Sequence, residues 1–140
     1  MIVDVAKKVI RLKVVYYGPS MSGKTTNLEK LSALNGLKLT KIDTKGDRTL
    51  VFDFSTKTVQ VGDITASFAI YTVPGQEIYK DMRITVLRGV DGVVFVADAQ
   101  EHRLGENIKF FNLLKEDLNK VGKRYEEVPV VIQYNKMDLP

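Results

Sequence analysis

The sequence predicts an α/β fold, in which a mostly parallel sheet with one antiparallel edge strand is flanked by helices. Three observations support this prediction. Short apolar runs alternate with helical segments, a glycine-rich loop joins the first long strand to the first helix, and polar motifs directly follow several strands. The alternation indicates parallel strands joined by right-handed crossovers, and because the carboxyl ends of parallel strands lie at one edge, we expect these loops to meet there.

The first half of this pattern begins with a strand and a helix. Val9–Tyr17 is apolar and β-branched and predicts a strand, and Lys24–Leu34 predicts a helix that Asn35 and Gly36 end. Residues 37–48 have no convincing period, and we interpret them as a loop.

Two further strands are predicted from residues 49–54 and 64–73, as an antiparallel pair with a turn around residues 61–63. Pro74 and Gly75 end the second of them. Residues 76–88 are mixed in pattern, with helical character towards their end.

The second half continues with Gly92–Asp98, a nearly continuous apolar run that is typical of a parallel strand covered on both faces. A helix follows and ends at Gly122, and residues 128–134 predict the last strand. The helix is indicated by apolar residues at spacings of three and four: Leu104, Ile108, Phe111, Leu114, Leu118 and Val121.

Composition excludes several classes of protein. The chain has 140 residues, enough for one domain, and a net charge of +4 that is dispersed without basic runs, which argues against nucleic-acid binding. Its apolar runs fall far short of the ~20 residues of a membrane span, and no lipidation motif is present, so we expect no membrane anchor. The absence of cysteine suits a cytoplasmic protein and excludes thiolate metal sites.

Residues 18–25 fit the phosphate-binding loop pattern G-x-x-x-x-G-K-[ST] between a predicted strand and helix. Backbone N–H groups of such a loop and the helix start surround phosphate oxygens. We expect Lys24 to reach the β- and γ-phosphates and the Thr25 hydroxyl to bind Mg²⁺. The alternative is a glycine-rich turn with a surface lysine. The candidate phosphate contacts are Gly18, Ser20, Ser22, Gly23, Lys24, Thr25 and Thr26.

A second motif, N-K-x-D, occupies residues 135–138. The Asp138 carboxylate can accept two hydrogen bonds from N1–H and the exocyclic amine of guanine, a pair of donors that adenine lacks. Asn135 either contacts the N7/O6 side of the base or braces the phosphate loop, and the Lys136 stem can lie over the ring. The alternative is a polar turn after a strand.

Between these motifs lies Thr72-Val73-Pro74-Gly75-Gln76. We expect the Gly75 N–H to contact a γ-phosphate and Gln76 to orient the attacking water. The alternative is a simple Pro-Gly turn.

At these residues the chain resembles the Ras-like small GTPases of the P-loop NTPase fold, and more closely the bacterial MglA subfamily, which is linked to gliding motility and cell polarity. Threonine at position 72, where most Ras-like proteins have aspartate, is typical of that subfamily. The stretches that carry the resemblance are VYYGPSMSGKTTN at 15–27, DRTLVFDF at 47–54, YTVPGQ at 71–76, GVDGVVFVAD at 89–98 and NKMD at 135–138.

The resemblance implies a GTP-binding switch that hydrolyses GTP to GDP with Mg²⁺, at a weak intrinsic rate. Thr49 would sense the γ-phosphate through Mg²⁺, and Arg48 would be an intrinsic arginine finger, unless it is a surface residue that pairs with Asp47 or Asp53. An MglB-type roadblock protein would be the activating partner. The effectors are not specified by the sequence.

Two departures from the family pattern favour a runner-up, a nucleotide-binding interaction module with little hydrolysis. Thr72 has no carboxylate to hold a Mg²⁺-bound water, and Ser20 places a side chain where relatives have glycine, near Gln76. A generic P-loop ATPase is a third reading, which Asp138 opposes. We expect residues 1–140 to form one small-GTPase domain that is truncated before the usual C-terminal strand and helix. Strand 128–134 would then be an exposed apolar edge that favours self-association.

Overall fold

The computed structural model describes residues 1–36, 40–44, 50–73 and 80–136, with the backbone alone for residues 25, 40–44 and 50–55. Strands and helices alternate along these ranges. They are β1 (Ile2–Asp4), β2 (Val9–Tyr17), α1 (Lys24–Leu34), β3 (Thr40–Thr44), β4 (Leu50–Val61), β5 (Ile64–Thr72), α2 (Lys80–Leu87), β6 (Gly92–Asp98), α3 (Leu104–Lys120) and β7 (Val130–Asn135).

The strands form one sheet in the order β3-β4-β5-β2-β6-β7. Strand β2 is parallel to β5 and β6, and β6 is parallel to β7, whereas β4 is antiparallel to β5, as the sequence predicts. Strand β1 was not predicted, and it pairs antiparallel with the start of β2, below the segment that pairs with β6. The α/β class with a parallel centre and an antiparallel flank is confirmed.

The interpretation of residues 37–48 as a loop is wrong for part of its length. Residues 40–44 form β3, which pairs antiparallel with β4 from Thr40 opposite Phe54 to Thr44 opposite Leu50. This segment contains a single apolar residue, so its own pattern carries no strand signal, and the pairing with β4 decides its structure. Strand β4 also runs seven residues beyond the predicted end, to Val61. Residues 55–61 are mostly polar, but they pair with β5 in the same way as an apolar segment would.

Helices α2 and α3 cover one core of the sheet. Val15, Tyr17, Phe95, Phe110 and Leu114 belong to this core and are at most 2% exposed. The stripe predicted for α3 is correct at Leu114 and Leu118 but wrong at Leu104 and Ile108, which are 59% and 54% exposed. Phe110 and Asp117 face the core instead, since the contact face of the helix is rotated relative to the apolar stripe.

The carboxyl ends of the central strands lie side by side. Tyr16 is opposite Thr72, Tyr17 is opposite Phe95, and Asp98 is opposite Asn135. The loops that leave β2, β5, β6 and β7 therefore start at one edge of the sheet, as predicted. No helix in the described ranges is long and apolar enough to cross a membrane.

Strand β7 has one paired neighbour among the described residues, and three of its side chains are largely exposed: Val131 (62%), Ile132 (43%) and Tyr134 (61%). The expected self-association at this strand stays a prediction.

Candidate functional site

Two glycines shape the loop between β2 and α1. Gly18 has φ +151°, and a Cβ there would lie 2.2 Å from the carbonyl oxygen of Val96 in β6. Gly23 caps α1 with φ +102°, and a Cβ there would lie 2.5 Å from Nδ2 of Asn135. Any larger residue at either position would displace backbone or a neighbouring motif, so the loop requires glycine at both ends.

Lys24 is the first residue of α1 and is 7% exposed. Its Nζ donates to the carbonyl oxygens of Gly18 at 2.9 Å and Pro19 at 2.7 Å, so the side chain folds back across the loop. No carboxylate pairs with it in the described part of the chain. Burial, assisted by the positive charge of Arg103, lowers the pKa of Lys24 from 10.5 to about 7. An anion bound in the loop would supply the negative charge needed to compensate the buried Lys24 ammonium.

The loop after β7 is hydrogen-bonded to residues 18–25, the phosphate loop. Asn135 Nδ2 donates to the carbonyl oxygen of Ser22 at 3.0 Å, and Lys136 Nζ donates to that of Met21 at 2.5 Å. Met21 and Lys136 both have left-handed backbones, with φ +61° and +63°. Non-glycine residues adopt this region only where surrounding contacts hold them, and such positions cluster at functional sites.

The side-chain amides of Gln133 and Asn27 orient Asn135. Gln133 Nε2 donates to the Asn135 Oδ1 atom at 3.1 Å and also to Oδ1 of Asn27. Asn27 Nδ2 donates in turn to the Gly23 carbonyl at 2.9 Å. Because Oδ1 of Asn135 accepts from Gln133, its Nδ2 faces the phosphate loop, which is the bracing arrangement among the two considered for this residue.

Asp98 lies beneath both loops and is 1% exposed. Its Oδ2 atom is 3.1 Å from Lys136 Nζ and 3.5 Å from Arg103 Nε, and its Oδ1 accepts from the Gln100 N–H at 3.1 Å. Burial raises the pKa of Asp98, but the Gln100 hydrogen bond and the two cations outweigh burial and hold the pKa below its usual value. Asp98 therefore stays ionised and anchors the lysine of the N-K-x-D motif.

Arg103 is a contact that sequence reasoning missed. It ends a 3₁₀ turn, Glu101–Arg103, and its guanidinium donates to the Ser20 carbonyl at 2.6 Å while also pairing with Asp98. Arg103 lies five residues after the end of β6 and belongs to none of the motifs identified in the sequence. Its contact with the loop is evident only from the geometry of the turn. Asp98 therefore accepts from the Gln100 N–H just before the turn and pairs with both cations.

The predicted site residues separate into two groups. The structure brings together the described ones around the loop after β2: Gly18, Ser20, Ser22, Gly23, Lys24, Thr26, Asn135 and Lys136. Ser22 is fully buried, and its hydroxyl has no hydrogen-bond partner among the described residues, so this side chain faces the protein interior. Thr26 is exposed.

The remaining predicted residues lie outside the described part of the chain. They are Arg48, Thr49, Gly75, Gln76 and Asp138, and Thr25 has only its backbone described. Their roles in hydrolysis, metal binding and base recognition stay predictions. In the ranges that the structure describes, no three His, Cys, Asp or Glu side chains cluster in a way that could hold a metal ion.

Comparison with known proteins agrees with this geometry. A family model described as the Ras family matches residues 13–140. The chain is 43% identical to the mutual gliding-motility protein MglA of Myxococcus xanthus over 99% of its length and 73% of that relative. It is 31% identical to Ras-related protein Rab-7a of Dictyostelium discoideum, over 95% of the chain but 62% of the relative. It is 32% identical to ADP-ribosylation factor-like protein 4D of Bos taurus, over 92% of the chain and 60% of the relative.

The match begins four residues after the start of β2 and includes the phosphate loop, the central strands and the loop after β7. The residues that match the family therefore include the loops that form the candidate site. The chain belongs to the Ras family.

Proposed function

We propose that this chain is a GTP-binding switch that hydrolyses GTP to GDP and phosphate with Mg²⁺. The observation that carries the proposal is the pairing of the two loops: a buried lysine without a carboxylate partner in the described ranges lies in a loop that Asn135 and Lys136 brace. A phosphate-binding lysine held against a guanine-reading motif fits a guanosine nucleotide better than any other ligand class.

The residues of the chain would divide the work between binding and positioning. Lys24 moves from the loop carbonyls to the phosphates, where its charge is compensated, and the N–H groups at the start of α1 bind the same oxygens. By family likeness, Gln76 orients the attacking water and Arg48 neutralises the charge that develops on the transferred phosphoryl group. Thr25 and Thr49 would hold Mg²⁺, which supplies further charge neutralisation at the β- and γ-phosphates.

The likeness to MglA supports a role in bacterial cell polarity or motility. An MglB-type roadblock protein would activate hydrolysis by repositioning Arg48 and Gln76 rather than by inserting its own arginine. Segments 37–49 and 74–88, which include β3 and α2, would close around the γ-phosphate and be released on hydrolysis, which would signal the bound nucleotide to effectors.

The second candidate is a nucleotide-binding interaction module with little hydrolysis. It is favoured by Thr72, which is 2% exposed at the end of β5. A threonine there cannot supply the carboxylate that most relatives use to hold a Mg²⁺-bound water. Single-turnover measurement of phosphate release, with and without the roadblock partner, separates this module from a hydrolysing switch.

Base recognition is tested by Asp138→Asn. A carboxylate can accept from both N1–H and the exocyclic amine of guanine, whereas an amide has one acceptor and one donor group. The amide therefore suits xanthine, which has a carbonyl oxygen in place of that amine. We expect the variant to bind GTP about 100-fold more weakly and xanthosine triphosphate more tightly than the wild type does. Asp63→Asn is the matched control, because Asp63 is an exposed turn residue paired with Lys8. Equal base preference in Asp138→Asn and the wild type would count against guanine recognition.

A further inference from the structure

Beneath the phosphate loop lies a buried polar cluster formed by Tyr17, Arg83 and Asp117. The Asp117 Oδ2 atom accepts from the Tyr17 hydroxyl at 2.6 Å and from Arg83 Nε at 3.0 Å. The Tyr17 residue is 0% exposed, and Arg83 and Asp117 are each 1% exposed. The three residues come from β2, α2 and α3, so one carboxylate oxygen joins three elements.

The surroundings of this cluster are apolar. The Tyr17 ring centroid lies 6.4 Å from those of Phe95 and Phe110, and Leu114 packs in the same core. Burial, together with the hydrogen bond to Asp117, raises the pKa of the Tyr17 hydroxyl. Replacing a buried ion pair with apolar residues of similar volume is often neutral or stabilising, so stability alone does not account for charges at this position.

The positions of the three residues along the chain suggest what else the cluster does. Tyr17 directly precedes Gly18, where the phosphate loop begins. Arg83 lies on α2, the helix that follows residues 74–79 and therefore Gln76. Asp117 lies in the last part of α3, a 17-residue helix that gives the carboxylate a rigid support. The cluster therefore joins α2 to the end of β2 through two hydrogen bonds.

The hydrogen bonding of the carboxylate is asymmetric. Both donors meet Oδ2, whereas Oδ1 has no hydrogen-bond partner among the described residues, although it is buried. An arginine paired with a carboxylate commonly forms two parallel bonds, one to each oxygen. The buried Oδ1 atom beside the guanidinium is thus an acceptor that a second arrangement of the pair, with both oxygens engaged, would use.

We propose that Asp117 is a positioning residue for GTP hydrolysis, which couples α2, and with it the preceding segment that contains Gln76, to the phosphate loop through Arg83 and Tyr17. This inference rests on the proposed function. It predicts that disturbing the cluster affects the hydrolytic step and the response of α2 to the γ-phosphate, while binding of GDP is preserved.

The test compares Tyr17→Phe with Tyr16→Phe, which removes a hydroxyl from the neighbouring residue on the other face of β2. The measured quantities are the affinity for GDP, the single-turnover rate of GTP hydrolysis, and amide hydrogen exchange of residues 80–87 with GDP or a non-hydrolysable GTP analogue. For Tyr17→Phe we expect a rate lower by about tenfold, a GDP affinity within about threefold of wild type, and loss of the difference in exchange between the two nucleotides. Tyr16→Phe should match wild type.

A second variant distinguishes a specific effect on hydrolysis from a folding defect. The double substitution Arg83→Met with Asp117→Leu replaces the ion pair with apolar side chains of similar size, and we expect it to fold and to show the same kinetic pattern. Wild-type rates and exchange in both Tyr17→Phe and the double variant would overturn the inference while leaving the switch function intact. A parallel loss of GDP affinity, rate and melting temperature would also overturn it, since that marks a merely structural cluster. A folded wild-type chain that binds no guanine nucleotide overturns both proposals.

Discussion

The side-chain amide of Asn135 donates to the carbonyl oxygen of Ser22 at 3.0 Å, across 113 positions of the chain. The first residue of the N-K-x-D motif is thus part of the support of the phosphate loop. The same amide group excludes a side chain at position 23, where a Cβ would approach its nitrogen to 2.5 Å. The segment that carries the proposed base-recognition motif is therefore mechanically linked to the loop proposed to bind phosphate.

This link makes a prediction about Asn135→Ala. Removing the amide leaves the Ser22 carbonyl without its donor and loosens the loop, so we expect affinity for GDP to fall by about tenfold. Because the effect acts through the loop, 7-deaza-GDP, which lacks N7, should lose the same factor. Affinities of both nucleotides for wild type, Asn135→Ala and the exposed control Asn112→Ala test this. A much smaller loss with 7-deaza-GDP would show that Asn135 acts on the base instead.

Lys24→Met separates binding from stability. Loss of the charge-assisted contacts to phosphate should weaken GDP binding by about 100-fold. The unfolding free energy of the nucleotide-free protein should change by less than about 1 kcal/mol, since relief of the burial cost offsets the lost bonds to the Gly18 and Pro19 carbonyls. Calorimetric binding and denaturant unfolding measure the two quantities. The control is Lys30→Met, at an exposed position of α1. A strongly destabilised Lys24→Met protein would contradict the account.

Asp98→Asn tests the anchor below the two loops. The amide no longer neutralises Lys136 and Arg103, so we expect GDP to dissociate about tenfold faster and the free energy of unfolding at pH 7 to fall by about 2 kcal/mol. The folded-state pKa of Asp98 lies below its unfolded value, so its contribution is present above about pH 4 and is lost as the pH falls through the folded pKa.

Stability curves of wild type and Asp98→Asn should therefore run parallel from pH 8 to pH 5 and converge below about pH 4. Unfolding at a series of pH values supplies the comparison. If the two curves already meet near pH 6, the carboxylate is not held ionised by its partners, and the anchor is assigned wrongly.

Arg48→Ala tests the arginine finger that family likeness implies. GTP affinity should stay within about threefold of wild type, while hydrolysis stimulated by the roadblock partner should fall by about 10³-fold. Arg124→Ala is a suitable control, because Arg124 is 72% exposed and pairs locally with Glu127. Equal stimulated turnover in Arg48→Ala and wild type would assign Arg48 to the protein surface.

Some features of this molecule could be predicted from sequence because they depend on local patterns. The glycines at 18 and 23, the lysine at the start of α1, and the apolar run of β6 are each encoded within a few consecutive residues. The loops after β2, β6 and β7 converge because these strands are parallel and their carboxyl ends lie at one edge of the sheet, so the convergence too was predictable.

Other features depend on partners that are distant in sequence. Strand β3 exists through its pairing with β4, and Arg103 contributes through a turn that aims it at Ser20. Asp117 follows Glu116 in a charged stretch of helix and resembles a surface residue, yet it is buried against Tyr17 and Arg83. Only the rotation of α3 on the sheet decides which of its polar residues faces the core.

The loop after β2, braced by Asn135 and Lys136, is expected to bind a guanine nucleotide. Calorimetric titration of the folded, nucleotide-free chain with GDP and with ADP measures this binding and its base preference. We expect a saturable heat with one site for GDP at micromolar concentrations and no measurable heat for ADP. No heat with GDP, or equal heats with both nucleotides, would contradict it.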